Sequence, residues 1–178
     1  MVVVIDTREQ NPVPITKAKV KRMKLWPGDY SIPAYSRMFA IERKSVSDLI
    51  GTMRTGYAGY NSTSPKRFDC ELLGLGGVLR LGGDAFILVE PDEGYHGDAQ
   101  SQIATHSYRA MIPPMCISAF VRTIERGYGI PVKFADSREH AAQIIEYHAA
   151  AALVEKKSKS NIRKSMSMST TTKESAND

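Results

Sequence analysis

The chain has 178 residues, 42% hydrophobic and 24% charged, which fits one globular domain with a tail and suffices to bury a core. Its net charge of +5 is concentrated at the C-terminus: residues 156–178 carry six Lys and Arg against two acids, so total charge alone does not point to nucleic acid. Cys70 and Cys116, far apart, argue against a disulfide framework or structural zinc site, and the lack of a basic signal-peptide start or any apolar run near about 18 residues argues against secretion and membrane insertion.

MVVVID opens as a buried, β-branched strand that stops at Asp6. TREQNPVPI follows as a loop broken by Pro12 and Pro14, and AKVKRMKL (18–25) reads as an edge strand whose long basic stems lie over apolar surface. WPGDY (26–30) is a turn. SRMFAI (36–41) is a strand whose alternation continues through Glu42 and Lys44 on one face, with Arg43 on the other. A helix over about 46–54 has Ser45 or Ser47 as its cap, and 55–65 reads as a loose segment. Helical spacing returns over 66–81, then a central-type strand over 84–90 that ends in Glu90. Residues 98–110 fit a helix stopped by Pro113-Pro114, and 116–127 an amphipathic helix stopped by Gly127. IPVKF (130–134) is a strand, and Asp136 to Glu139 spell a capping box for a helix that buries Ile144, Ile145 and Leu153. The interleaved elements predict an α/β domain over 1–155 and a basic, Ser/Thr/Lys-rich disordered tail over 156–178.

Acids recur at strand ends: Asp6, Asp29 after a turn, Glu42 and Glu90. Taken singly, each is an ordinary strand or turn terminator. Together, Asp29 and Glu42 are separated by room for a hairpin, and such spacing can hold a divalent ion with Lys44 beside it. Phosphodiester cleavage uses these groups: oxygen ligands for a hard cation, including the Arg43 backbone carbonyl, and a lysine that orients water or offsets transition-state charge.

Val4 to Glu9, then Gly28-Asp29-Tyr30, then Ile41-Glu42-Arg43-Lys44 with Asp48 and Leu49, resemble the nuclease domain of the XPF family of structure-specific endonucleases, within the PD-(D/E)xK superfamily. Further matches follow at Arg67-Phe68 with Glu71-Leu72, at Phe86–Glu90, at Ile130-Pro131-Val132 and at Asp136-Ser137-Arg138, though the glutamine common after the signature helix has no clear match where Cys70 and Glu71 stand. The resemblance implies a restriction-endonuclease-like fold, with a central mixed β-sheet flanked by helices. It also implies Mg²⁺-dependent cutting of branched, flap or junction DNA in recombination, repair or genome processing, with Mn²⁺ able to substitute. By the same resemblance Asp29 and Glu42 match metal-binding acids, Lys44 the catalytic lysine, and Asp6 and Asp48 acids of the site periphery that bind metal through water or hold Arg43 and Lys44. Arg8 and Glu9 match a first-strand motif, and Arg43 has the alternative role of anchoring the site by pairing with an acid. The pattern is most similar to compact bacterial or viral relatives, implying a cytoplasmic or nucleoid-associated protein there and a nuclear one in a eukaryote. Pairing through the nuclease domain, as a homodimer, makes Ala119, Phe120, Ile124, Ile144 and Ile145 interface candidates as well as core candidates.

Beside such a site, the basic run Lys17, Lys19, Lys21, Arg22 and Lys24 becomes a phosphate-contact candidate as well as a solvated edge. Arg8, Arg54, Tyr57, Tyr60, Lys66 and Arg67 join it as DNA-binding candidates, the tyrosines by stacking on exposed bases, against the plainer reading of a surface loop. His96, His106, His140 and His148 show no zinc spacing, and His106 with Arg109 is a further phosphate candidate. Two alternatives stay open: a non-catalytic DNA-binding scaffold of the same fold, and a nuclease that prefers unbranched DNA.

Overall fold

The computed structural model describes the backbone of residues 1–57, 67–109 and 112–174, and the side chains of these except 55–57, 107–109 and 162–174. The elements in chain order are β1 (Val2–Asp6), β2 (Lys19–Met23), β3 (Tyr30–Ser31), β4 (Phe39–Ser45), α1 (Val46–Tyr57), α2 (Arg67–Arg80), β5 (Asp84–Glu90), α3 (Ala99–Arg109), α4 (Pro114–Tyr128), β6 (Val132–Phe134) and α5 (Arg138–Glu174). The strands form one sheet in the order β2-β1-β3-β4-β5-β6. β1 pairs with β2 in parallel, as does β4 with β5 and β5 with β6, while β3 runs antiparallel to both β1 and β4. The C-terminal ends of β1, β4 and β5 and the start of β3 therefore share one end of the sheet, which gathers Asp6, Glu42, Glu90 and Asp29 there.

The pleat sends alternate residues to opposite layers. Phe39 and Ile41 of β4, with Phe86 and Leu88 of β5, pack against Ala141, Ile145 and Ala149 of α5. Ala40, with Ala85, Ile87 and Val89, packs on the other side against Leu49 of α1, Leu72 and Leu75 of α2 and Ile117 and Ile124 of α4. This is a mixed sheet flanked by helices, consistent with a restriction-endonuclease-like architecture. All five β2 residues are exposed, as befits an edge strand. Among the described residues no helix is long and apolar enough to cross a membrane.

Several boundaries move for identifiable reasons. The strand expected over 36–41 starts at Phe39 and runs on to Ser45, and the turn expected over 26–30 ends by entering β3. Gly28 makes that entry possible: its φ is +81°, and a Cβ there would lie 2.8 Å from the Ile41 carbonyl oxygen. Ser45 caps α1 by accepting the Asp48 amide at 3.1 Å. Pro114 begins α4 rather than ending α3, since a first-turn proline lacks only an N–H that has no helical partner. The left-handed cap is Gly129, not Gly127, which stays helical. Ser137, not Asp136, caps α5 by accepting the His140 amide at 3.1 Å, while Asp136 pairs with the His140 ring at 3.0 Å. The helical backbone of α5 continues to Glu174.

Candidate active site

The β3–β4 hairpin builds the site from backbone bonds upward. The Asp29 amide donates to the Ile41 carbonyl at 2.8 Å, and its own carbonyl accepts the Asp6 amide at 2.8 Å. Its Oδ2 accepts the Arg43 amide at 2.9 Å, which lays the carboxylate along β4 at the level of Glu42. A strand residue turns its N–H and C=O to the same edge, so the Arg43 carbonyl also faces the Asp29 side.

Glu42 and Lys44 share the face that looks toward α2, where Lys44 Nζ lies 3.3 Å from Glu42 Oε1. Helix α2 adds a carboxylate that the sequence reading did not place in the site. Glu71 Oε2 lies 3.7 Å from Lys44 Nζ, and Arg67 Nε donates to Glu71 Oε1 at 3.1 Å. The Phe68 ring centroid sits 4.6 Å from the same ammonium. Glu71 carried one signal of its place: an acid among the apolar positions of the α2 helical pattern, and it is buried. Gly74 lets α2 come this close, for a Cβ there would meet the Pro27 Cβ at 2.8 Å.

These residues line a cleft of about 1480 Å³. Asp29, Glu42, Lys44 and Glu71 line it together with Asp48, from the first turn of α1. Phe68, Phe120 and Tyr128 add an aromatic wall, and Arg8 and Arg67 contribute positive charge. Burial, with Glu9 and Glu71 nearby, lifts the Asp29 carboxyl to about 6 against the Arg43 amide and Lys44. Burial and the neighbouring Asp29 carboxylate push Glu42 well above the usual carboxylate range. Two adjacent acids that both resist ionising form a site that favours added positive charge. Among the described residues, no three or more His, Cys, Asp or Glu side chains converge as a ready-made metal cluster.

Arg43 points to the opposite face. Its Nε and Nη2 donate to Glu90 Oε1 at 2.8 and 2.5 Å, and Nη1 to Glu9 Oε1 at 3.1 Å. Arg138 Nη1 lies 3.5 Å from the same Glu90 oxygen. Arg43 thus ties β4, β5 and the 6–9 loop together. Asp6 stands apart from the cleft lining. Its Oδ1 accepts the Arg8 amide and Nε at 2.7 and 2.8 Å, and its Oδ2 accepts the Leu25 amide at 2.5 Å. Burial works upward on Asp6, but these bonds prevail and hold its carboxyl below the usual value.

The basic candidates divide. Arg8 and Arg67 line the cleft, although each already pairs with an acid. Arg22 braces the loop that carries Glu9, donating to the Asp6 and Glu9 carbonyls at 3.1 and 2.6 Å. Lys17, Lys19, Lys21 and Lys24 are exposed along or beside β2, on the far edge of the sheet, and Arg54 is exposed late in α1. Tyr60, Lys66 and the side chains of Tyr57 and Arg109 lie outside the described residues. His106 Nε2 lies 3.3 Å from Ser47 Oγ, which donates to Asp92. Of the interface candidates, Ile124 and Ile145 are wholly in the core, Phe120 and Ile144 are partly buried against it, and Ala119 is exposed.

Solved structures share this arrangement of elements. One is XPF from Aeropyrum pernix in complex with DNA, 22% identical, covering 88% of this chain and 65% of that chain with a TM-score of 0.58. Another is XPF from Aeropyrum pernix, 21% identical, covering 85% of this chain and 61% of that chain with a TM-score of 0.55. At those identities the likeness is one of fold, and this chain spans less than two thirds of either. No curated protein matches it. The family described as the ERCC4 domain matches residues 5–148, a span that takes in every cleft residue named above, and the chain belongs to that family of XPF-type nuclease domains.

Proposed function

We propose that the chain is a divalent-metal-dependent DNA endonuclease that hydrolyses phosphodiester bonds in branched or flapped DNA. The observation that carries this reading is the meeting of Asp29 and Glu42 across one hairpin with Lys44 3.3 Å from Glu42, inside a cleft large enough for a nucleotide. Family membership supports a nuclease role, and a DNA complex of a protein of the same fold supports DNA as the substrate.

The donor set fits a hard cation. Asp29 and Glu42 offer oxygen atoms only, both are disfavoured as anions by burial, and the Arg43 carbonyl faces the same side. Asp29, Glu42 and that carbonyl would hold Mg²⁺ or Mn²⁺, which when bound supplies Lewis acidity toward a phosphate oxygen and an acidified water. Lys44 brings three N–H donors to the same floor and can offset charge that develops on the phosphorus oxygens. Asp48 stands at the start of α1, where a carboxylate complements the helix dipole and can orient water at the cleft wall. Arg43, bonded to Glu90 and Glu9, keeps β4 fixed so that Glu42 and Lys44 hold their registers.

The test is Asp29→Asn assayed with Mg²⁺ on flap, fork, four-way-junction and plain duplex DNA. Asn keeps the acceptor for the Arg43 amide and removes the charge. Cutting should fall by at least about a thousandfold, as expected when a principal electrostatic element is lost, while DNA affinity stays within about twofold. Cutting at the parent rate would overturn the metal assignment, and equal rates on plain duplex and branched DNA would overturn the substrate assignment.

A further inference from the structure

We propose that Glu71 is a positioning residue for Lys44, an inference that rests on the nuclease reading above. A lysine head is a point charge on a flexible stem and acts at a fixed place only if other groups hold it there. Here three groups do so: Glu42 Oε1 at 3.3 Å, Glu71 Oε2 at 3.7 Å and the face of Phe68 at 4.6 Å. Glu42 is also a metal-binding candidate, and a cation drawing on its oxygens weakens its hold on the ammonium. The anchors that remain both come from α2.

That helix is built as a holder. Phe68 and Glu71 are three residues apart, so they share one face. Arg67, one residue earlier, fixes Glu71 through Oε1 and leaves Oε2 toward Lys44. Glu71 is nearly covered, whereas the Arg67 side chain is 83% exposed, so the chain of contacts runs from solvent to the cleft floor. Gly74, packed on Pro27, registers the same helix against the turn that delivers Asp29. Both halves of the site, the hairpin acids and the lysine, are thereby referred to α2. A metal ligand role for Glu71 makes a different prediction, since it would show in metal affinity.

The experiment compares Glu71→Ala, Glu71→Gln and Arg67→Ala, each alone and combined with Lys44→Ala, with single-turnover rates at enzyme excess to reach low activities. Glu71→Ala should lower kcat about 10- to 100-fold with KM within about twofold, as for loss of alignment rather than of binding. Glu71→Gln, which keeps an acceptor for the ammonium, should recover to within about fivefold of the parent. In the Lys44→Ala background neither change at residue 71 should lower the rate further, the signature of two residues acting as one. Mn²⁺ binding measured by calorimetry should persist in both residue 71 variants and shift alike, by less than about tenfold, because each removes the same negative charge beside Asp29 and Glu42. A parent-like rate for Glu71→Ala, losses that add to those of Lys44→Ala, or abolished Mn²⁺ binding would each overturn the proposal. If Glu71→Ala does not fold, Arg67→Ala carries the test, with an expected kcat loss of about three- to tenfold that vanishes without Lys44. No cutting of any of the DNA substrates by the parent chain with Mg²⁺ or Mn²⁺ would instead bring down the nuclease reading, and the proposal with it.

Discussion

Asp29 shows how one residue can be made costly for folding and useful for chemistry. Its carboxyl is raised to about 6 chiefly by burial. Below about pH 3 the acid is protonated in both the folded and unfolded chain and has no effect on stability. As pH rises toward 6 the unfolded chain releases its proton while the folded chain retains it, so stability falls across that window, and above it the full penalty stands. Asp29→Asn removes that penalty. In EDTA at pH 7.5 the variant should be about 1–3 kcal/mol more stable than the parent by urea unfolding, and the difference should shrink as pH falls through 6 and close near pH 3. No gain at pH 7.5 would mean that burial does not oppose the charge. The same group gives metal binding a proton cost, so half-saturating Mn²⁺ should rise as pH drops through 6. Asp29, Glu42 and Lys44 were legible in the sequence because a Gly-Asp turn and a two-residue strand period are local signals. The different fate of Asp6 was not: its oxygens are satisfied partly by the Leu25 amide, nineteen positions away, and no local pattern announces that bond.

Strand β4 acts as a partition, with Glu42 and Lys44 toward α2 and Arg43 toward Glu90 and Glu9. The alternation that sorts them is readable from the sequence, but the partners are not, because α2, β5 and the 6–9 loop arrive by tertiary packing. This explains why Glu71 escaped notice, and why α4 was expected to end at Gly127 although its cap lies at Gly129. The partition has an energetic consequence. Glu90 is fully buried, one of its oxygens meets Arg43 and Arg138, and the other has no hydrogen-bond partner among the described residues. Arg43→Ala would leave this acid with only the longer Arg138 contact, and loss of one partner of a buried pair destabilises by about 3–5 kcal/mol. Adding Glu90→Gln should recover part of the loss, since the remaining group is then neutral. Urea unfolding at pH 7.5 checks both. If Arg43→Ala were neutral, the network would be decorative and the fixed register of β4 would need another source.

At the scale of the whole molecule, α5 joins two regions held by different physics. Up to Ala152 it buries a stripe against the sheet, and Lys156 still reaches the body, donating to the Pro33 carbonyl at 2.7 Å with its ammonium 5.4 Å from the Tyr35 ring. The described side chains from Lys157 to Asn161 are exposed. Beyond them the sequence turns to Ser, Thr and Met, several of them weak helix formers. The exposed stretch from Lys157 to Asn161 is held by its own hydrogen-bond ladder, which is marginal in water. Ending the chain after Lys157 should change unfolding stability by less than about 1 kcal/mol, because Ser158 to Asn161 are exposed and the Lys159–Glu155 pair that it removes is half-exposed. Cutting at saturating DNA should be unchanged, since no cleft residue lies beyond Tyr128. DNA affinity at low salt should fall and the salt dependence should flatten if Lys159, Arg163, Lys164 and Lys173 meet phosphates. A drop of several degrees in Tm would show that the distal helix is part of the cooperative fold. An unaltered salt slope would show that its charges serve something other than DNA.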